Sequence, residues 1–367
     1  MASRRQTLRY AGAALAGIPL AACTAEPNEE AEPDTGSAPA NEPAPTTAAT
    51  ALGEPEVVAS GLEAPWSIAF HEGTPLVSER DSARVLELDA QGEAREVAVV
   101  DGVAGGGEGG LLGLAVRDGF LYAYFTASDG NRIERFALEG AAGALTLGAP
   151  QAILSGIPSA GNHNGGRIAF GPDGMLYATA GDAGNPENAQ DRESPAGKIL
   201  RMNPDGTAPD DNPFPGSLVY TWGHRNPQGI AWDEEGGMWA AEFGQDTWDE
   251  LNRIEPGANY GWPEAEGIAG IGDYTDPVQQ WGTDDASPSG MAIAGGTAYI
   301  ANLRGRRLRA VPLGDPGTSV EHYVEEYGRL RDVVNAPDGS LWVLTNNTDG
   351  RGDPGPDDDR VLRIALT

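Results

Sequence analysis

Apolar residues along this chain fall into short pairs of runs, each pair broken by a tight turn, and spacing of the i, i+3, i+4 kind does not persist anywhere. Six such pairs can be read: 66–70 with 76–77, 112–116 with 121–124, 167–170 with 175–177, 229–232 with 238–240, 290–293 with 298–300, and 332–334 with 341–343. Turns such as Gly171-Pro172-Asp173-Gly174 and Ala336-Pro337-Asp338-Gly339 carry hairpin chemistry, because proline presets φ and glycine accepts a positive one. The pairs recur every 40 to 60 residues or so, close to the roughly 40 to 50 of one propeller blade, and each interval leaves room for two more strands. The pattern therefore predicts an all-β, six-bladed β-propeller, in which circular closure leaves only short, protected edges. A β-sandwich would not need six related hairpins.

The pattern does not extend to the beginning of the chain. Residues 1–22 have a basic start (Arg4, Arg5, Arg9), a short apolar run and then small residues, which predicts a signal peptide too short to span a bilayer as a helix. Ser3-Arg4-Arg5-Gln6-Thr7-Leu8 resembles a twin-arginine signal, and Leu20-Ala21-Ala22-Cys23 resembles a lipobox. Cys23 is the only cysteine, so no disulfide is expected within the domain. Residues 23–55 are Ala, Pro, Glu and Thr with almost no large apolar side chains, and read as a flexible tether. The expectation is an exported lipoprotein, periplasmic or on the cell surface, that meets the membrane only through its anchor, with the propeller over residues 56–367. Net charge is −31 and Lys198 is the only lysine, which argues against nucleic acid and anionic lipid as partners.

Hairpin geometry places chemistry. The residue entering the first strand of a pair and the residue leaving the second lie at the same end of a blade. Unusual polar residues collect at those positions: Asn162-His163-Asn164, His224-Arg225-Asn226-Pro227-Gln228, Asp285 to Ser289 and Arg329-Leu330-Arg331-Asp332 entering; Glu79-Arg80, Gly181-Asp182, Gly244-Gln245, Asn302-Leu303-Arg304 and Asn346-Asn347 leaving. His163 with Arg225, Arg304, Arg329 and Arg331 should crowd one mouth of the ring. Arginines converging in so acidic a protein point to an anionic ligand, and their planar forks suit carboxylates. Blade-end arginines can also merely pair with aspartates and tie loops together. Of the four histidines, His71 lies in a turn, His322 in a charged stretch, and His224 before Arg225 reads as a loop brace. His163, flanked by asparagine and glycine, is unsuited to core packing and is the candidate general base, since imidazole can take a proton from a hydroxyl near neutral pH.

From about Leu62 to the C-terminus these motifs resemble the soluble aldose dehydrogenases that use pyrroloquinoline quinone (PQQ), the glucose/sorbosone dehydrogenases. The stretches that carry the resemblance are Gly223-His224-Arg225-Asn226-Pro227-Gln228-Gly229, Asp249-Glu250-Leu251-Asn252, Asn259-Tyr260-Gly261-Trp262-Pro263, Gly197-Lys198-Ile199-Leu200-Arg201 with Asp205-Gly206, Asp211-Asn212-Pro213-Phe214 and Arg329-Leu330-Arg331-Asp332-Val333. The resemblance implies the same six-bladed fold and oxidation of an aldose at its anomeric carbon to a lactone, with electrons passed to an external acceptor. It implies His163 as base for the anomeric hydroxyl, Arg225 and Asn226 beside the quinone oxygens, and Arg329, Arg331, Arg304 and Asp249 at or near the cofactor. It further implies calcium (Ca2+) held by the backbone carbonyls of Gly244 and Gln245, and a second, structural calcium near Glu250 and the Tyr260 carbonyl. Glu108 stands where the family has glutamine beside the substrate, Gln245 replaces a proline, Arg304 a lysine and Asn162 an aspartate. A sugar-binding propeller without catalysis and a metal-dependent lactonase remain as other functions of the same fold. The lactonase needs acidic and asparagine side chains around a metal in the channel, against which the arginine-rich face argues.

Overall fold

A computed structural model describes residues 52–366, and the expected signal peptide, Cys23 and most of the tether lie outside the described residues. Among the described residues there is a single short helix, Glu187–Gln190, and all other regular structure is strand, arranged in six antiparallel sheets. The first strands of the six blades are Pro65–His71, Leu111–Arg117, Ile168–Phe170, Pro227–Trp232, Pro288–Ala294 and Leu330–Asn335. Each touches the next, and the sixth touches the first, so these strands line the axis of a closed ring. Each predicted hairpin is the first two strands of one blade.

The ring is closed by strands from both ends of the described chain. Glu56–Ala59 pairs antiparallel with Val361–Ile364 as the outermost strand of the sixth blade. Order begins ahead of the expected tether boundary at residue 55: Leu52 bridges Leu366, the Gly53 N–H donates to the Ala365 carbonyl, and Tyr323 Oη donates to the Gly53 carbonyl. Backbone hydrogen bonds to a strand already in place hold these residues, which a composition argument could not see.

The apolar core lies between blades rather than on the axis. Trp66, Leu112, Tyr124, Ile168, Leu176 and Leu200, drawn from the first three blades, form one buried cluster. Period-two alternation explains this, because blades stack face to face and both faces of an inner strand are covered. Full burial of a side chain such as Leu76 or Leu121 contributes about 1.5–3 kcal/mol. At the axis the side chains are polar instead. In five of the six inner hairpins the register slips at the mouth end, between Pro65 and Ser67, Leu111 and Leu114, Pro227 and Gly229, Pro288 and Met291, and Leu330 and Asp332. Bulges of this kind re-aim side chains at the rim of a closed sheet.

Candidate active site

Beneath the bulged ends lies a cavity of about 450 Å³, lined among others by Trp66, Glu108, Asn226, Gln228, Arg329 and Arg331. Its floor is a hydrogen-bonded layer reaching across five blades. Arg331 Nη1 donates to Gln228 Oε1 and to Ser289 Oγ. Arg167 Nε donates to the Gln228 carbonyl, and its guanidinium pairs with Asp332 at 2.9 Å. Trp66 lies between two cations, with Arg167 4.2 Å and Arg331 5.8 Å from its ring. All these floor residues are buried.

The charge of the cavity is unbalanced. Arg329 and Arg331 share one fully buried carboxylate, Asp349, at 3.2 and 3.8 Å. Burial pushes the Arg331 guanidinium down to about 9; Asp349 opposes that shift and the neighbouring Arg329 adds to it. Nε of Arg329 is buried without a hydrogen-bond partner. Two desolvated cations on one anion, with a donor left over, make a cavity that an anion would stabilise. Arg80, Arg306 and Arg351 stand around the same space. Arg304 lines it as well, but its side chain is 61% exposed and pairs with Asp284.

His163 is not among the residues that line the cavity; it is tied to the lining residue Glu108 and has unusual backbone geometry. Its φ is +55°, an uncommon conformation for a residue with a side chain. Its N–H donates to Glu108 Oε2 at 3.0 Å, and its carbonyl accepts the Ala183 N–H. The Nδ1 of the ring lies 2.7 Å from Asp182 Oδ1, and Asp182 is fully buried. The same carboxylate accepts the Gly184 N–H and the indole N–H of Trp262. With only donors around it, Asp182 accepts a hydrogen bond from Nδ1–H of the imidazole, which leaves the Nε2 lone pair as the reactive end. Asp182 sits at a predicted blade-end position, but its role was not read from the sequence.

Glu108 meets Arg351 at 2.9 Å across the cavity mouth, a contact between residues 243 positions apart. Burial works against its ionisation, but the His163 N–H and the Arg351 guanidinium outweigh it and hold Glu108 below the usual carboxylate range. Arg351 and Asp349 lie on the long loop after the last inner hairpin and were missed. Their signal was there, since this loop follows the outgoing strand of a blade as the others do.

Arg225 lies just beyond the cavity. Its Nη1 donates to the carbonyls of Gly244, at 2.6 Å, and Phe243, at 3.3 Å, and its guanidinium lies 5.5 Å from the Trp262 ring. Asn226 is buried and its Oδ1 accepts the Gly165 N–H, so its amide nitrogen is the end available to a ligand. His224 is buried between Thr221 and Glu242 and stacks on Tyr260 with ring centres 4.7 Å apart, the bracing role expected of it.

The carbonyls of Phe243 and Gly244 converge on a positive group, here a guanidinium, and oxygen donors of this kind suit calcium. The Gln245 N–H donates to Glu266 Oε1, which also accepts N–H groups from Asp246, Thr247 and Trp248. Asp249 does not line the cavity. Its two oxygens accept the N–H groups of Gly244 and Ser287, so it shapes the carbonyl loop from behind. Burial pushes its carboxyl up to about 6 against the pull of those two N–H groups. Glu250 and Tyr260 do come together, beside Glu242 and Glu266, around a void of about 10 Å³. Burial first, and Glu242 second, push Glu250 well above the usual carboxylate range. Arg225 lines the same void, and among the described residues no group of three or more His, Cys, Asp and Glu side chains has metal-holding geometry.

A closed propeller whose channel mouth combines a cation-lined cavity with an imidazole oriented by a carboxylate belongs to the ligand-binding propellers. The chain belongs to the Glucose / Sorbosone dehydrogenase family, which residues 62–354 match. The PQQ-bound aldose sugar dehydrogenase of Streptomyces coelicolor is 51% identical and superposes with a TM-score of 0.82 over 86% of this chain and 97% of its own. An aldose sugar dehydrogenase of Escherichia coli is 29% identical over 83% of this chain and 92% of its own. Quinoprotein glucose dehydrogenase B of Acinetobacter calcoaceticus is 30% identical over 66% of this chain, and the match spans 59% of that protein.

Proposed function

We propose that this protein is a PQQ-dependent dehydrogenase that oxidises aldose sugars at the anomeric carbon to lactones. The observation that carries this reading is the pair of buried arginines on one carboxylate, a built deficit of negative charge that a polycarboxylate cofactor would fill. Arg329 and Arg331 would hold cofactor carboxylates, while Arg225 and the Asn226 amide would face its quinone oxygens and stabilise charge developing there. The Gly244 and Gln245 carbonyls would hold calcium, the Gly244 carbonyl being one of the two that accept from Arg225. When bound, the quinone supplies the hydride acceptor that no side chain can provide. His163 Nε2 takes the proton of the anomeric hydroxyl, and Asp182 stabilises the imidazolium that results. Glu108 stands where it can accept a sugar hydroxyl, and electrons leave to an external acceptor. Export and anchoring through Cys23 complete the proposal: a lipoprotein facing a sugar supply outside the cytoplasm.

The test is dye reduction by the purified protein with glucose and other aldoses, before and after adding PQQ and calcium. Activity that needs both and is lost in His163→Ala supports the mechanism. PQQ binding without turnover of any aldose would leave a sugar-binding propeller, and no PQQ binding would refute the proposal.

A further inference from the structure

Lys198, the only lysine in the chain, is fully buried and lines no part of the cavity. It opens the third strand of the third blade, Lys198–Met202, where it pairs with Ala180 on one side and Trp222 on the other. Its ammonium meets three backbone carbonyls: Nζ donates to Asn188 at 2.8 Å, to Ala189 at 3.1 Å and to Ala196 at 2.7 Å. Three donors meet three acceptors, so the group is satisfied, yet it is a desolvated cation with no carboxylate among its contacts. Burial pushes it down to about 8, and the charge of Asp191 opposes that shift. A planar guanidinium could not turn three donors towards carbonyls that converge on one point.

All three carbonyls belong to loop 181–197, which leaves the second strand of this blade and returns as the third. Lys198 ties the middle of that loop to its end. From the tied middle, two routes lead to Asp182. Asn188 Nδ2 donates to the Asp182 carbonyl at 2.9 Å. Gln190 Nε2, one residue beyond the gripped Ala189, donates to the Trp262 carbonyl at 2.6 Å, and the Trp262 indole N–H holds Asp182 Oδ2 at 2.9 Å. The other oxygen of that carboxylate is the one that meets His163 Nδ1.

Lys198 has no exposed surface, so water replaces its ammonium only if the loop opens, and an opened loop carries Asn188 and Gln190 away with it. The ends of the loop are held independently, by the pairing of Ala180 with Lys198 and by the Gly197 N–H, which donates to the Gly181 carbonyl. A change at Lys198 therefore falls on the middle of the loop and on what that middle braces. We infer that Lys198 is a positioning residue: it sets loop 181–197 so that Asp182 meets His163 Nδ1 and fixes the tautomer of the imidazole. The inference deepens the reading of His163 as the base, and its effect on turnover rests on that reading.

The first measurement needs no cofactor. In the full chain with isotope-labelled histidine, proton–nitrogen correlation spectra show which ring nitrogen of His163 carries the proton, and His163→Ala gives the assignment. The unaltered protein should show Nδ1–H. Lys198→Met, similar in length but without donors, should show a mixture of both tautomers. With PQQ and calcium saturating, its kcat should fall about tenfold, the worth of one bond to a charged group, while sugar KM and PQQ affinity stay within about twofold. Lys198→Ala tests the same link if the methionine variant fails to fold. There propylammonium, which replaces the missing atoms and their charge, should restore the Nδ1–H signal and kcat, and propanol, with a single donor, should not. The inference is overturned if the unaltered protein lacks Nδ1–H, if a folded variant keeps it unchanged, if KM and PQQ affinity weaken as much as kcat, or if propylammonium restores nothing. Nδ1–H in an unaltered protein that turns over no aldose would overturn the proposed reaction and leave the tautomer test of Lys198 standing.

Discussion

Asp182→Asn is the most informative single change for the proposed catalysis. Asp182 accepts three hydrogen bonds: from His163 Nδ1 and the Gly184 N–H on one oxygen, and from the Trp262 indole on the other. An asparagine cannot reproduce this. If its amide nitrogen faces the histidine, it meets the Gly184 donor and forces the opposite tautomer, which puts a proton on Nε2. If it faces Trp262, it opposes the indole N–H. Either orientation leaves a buried donor unmade, at about 1–3 kcal/mol of stability. The imidazolium formed on proton transfer also loses its charged partner, a bond to an ionised group being worth about 1.5–3 kcal/mol. The second effect alone puts about 1.5–3 kcal/mol of transition-state stabilisation at stake, or roughly 10- to 150-fold in kcat/KM, while the first is read in the melt. The assay is dye-linked sugar oxidation with PQQ and calcium saturating, alongside PQQ affinity and thermal unfolding. A kcat/KM within threefold of the unaltered protein, in a folded variant that binds cofactor normally, would refute the assignment of His163 as the oriented base.

Three further outcomes are expected. Arg331→Met removes one of two cations on Asp349 and should lower PQQ affinity at least tenfold by absorbance titration, and it should lower Tm because Gln228 and Asn346 lose their buried donor. Glu108→Gln and Arg351→Ala should be non-additive: the two singles and the double variant form a cycle with a coupling of about 0.5–3 kcal/mol in kcat/KM, whereas additive effects would mean that the bridge does not position Glu108. Asp249, with its carboxyl raised to about 6, holds more protons folded than unfolded between roughly pH 4 and 6, so its contribution to stability grows as pH falls through that window. Melts of calcium-free protein from pH 7 to 5 should show that rise, and Asp249→Asn should flatten it.

The propeller could be read from the sequence because every blade repeats the same local instruction, two apolar runs and a glycine-bearing turn, and the six hairpins it picks out are the inner hairpins of the structure. Position could be read for the same reason: the rule about entering and leaving residues places Asn226, Arg304, Arg329 and Arg331 at the cavity. What escaped depends on closure. Asp349 and Arg351 lie in a loop of the sixth blade with no apolar markers, and ring closure brings Arg351 to Glu108, 243 positions away. The pairing of His163 with Asp182 joins neighbouring loops of one blade and needs the left-handed φ at His163 to form, a backbone state that residue types do not announce. Asp249 resembled a cofactor contact by motif, yet both its oxygens are taken by backbone N–H groups.

The polar floor has a kinetic consequence. The layer of Arg167, Asp332, Gln228, Ser289 and Arg331 spans the axis below the cavity, which would make the channel blind. Under the proposed function, whatever donates electrons and whatever collects them would have to use the same doorway. If the proposed function holds and the two cannot occupy it together, each turnover would divide into successive visits, with the oxidised sugar gone before the acceptor arrives. Initial-rate plots against sugar, taken at several acceptor concentrations, should then give parallel lines in double-reciprocal form. Intersecting lines would mean a second way in.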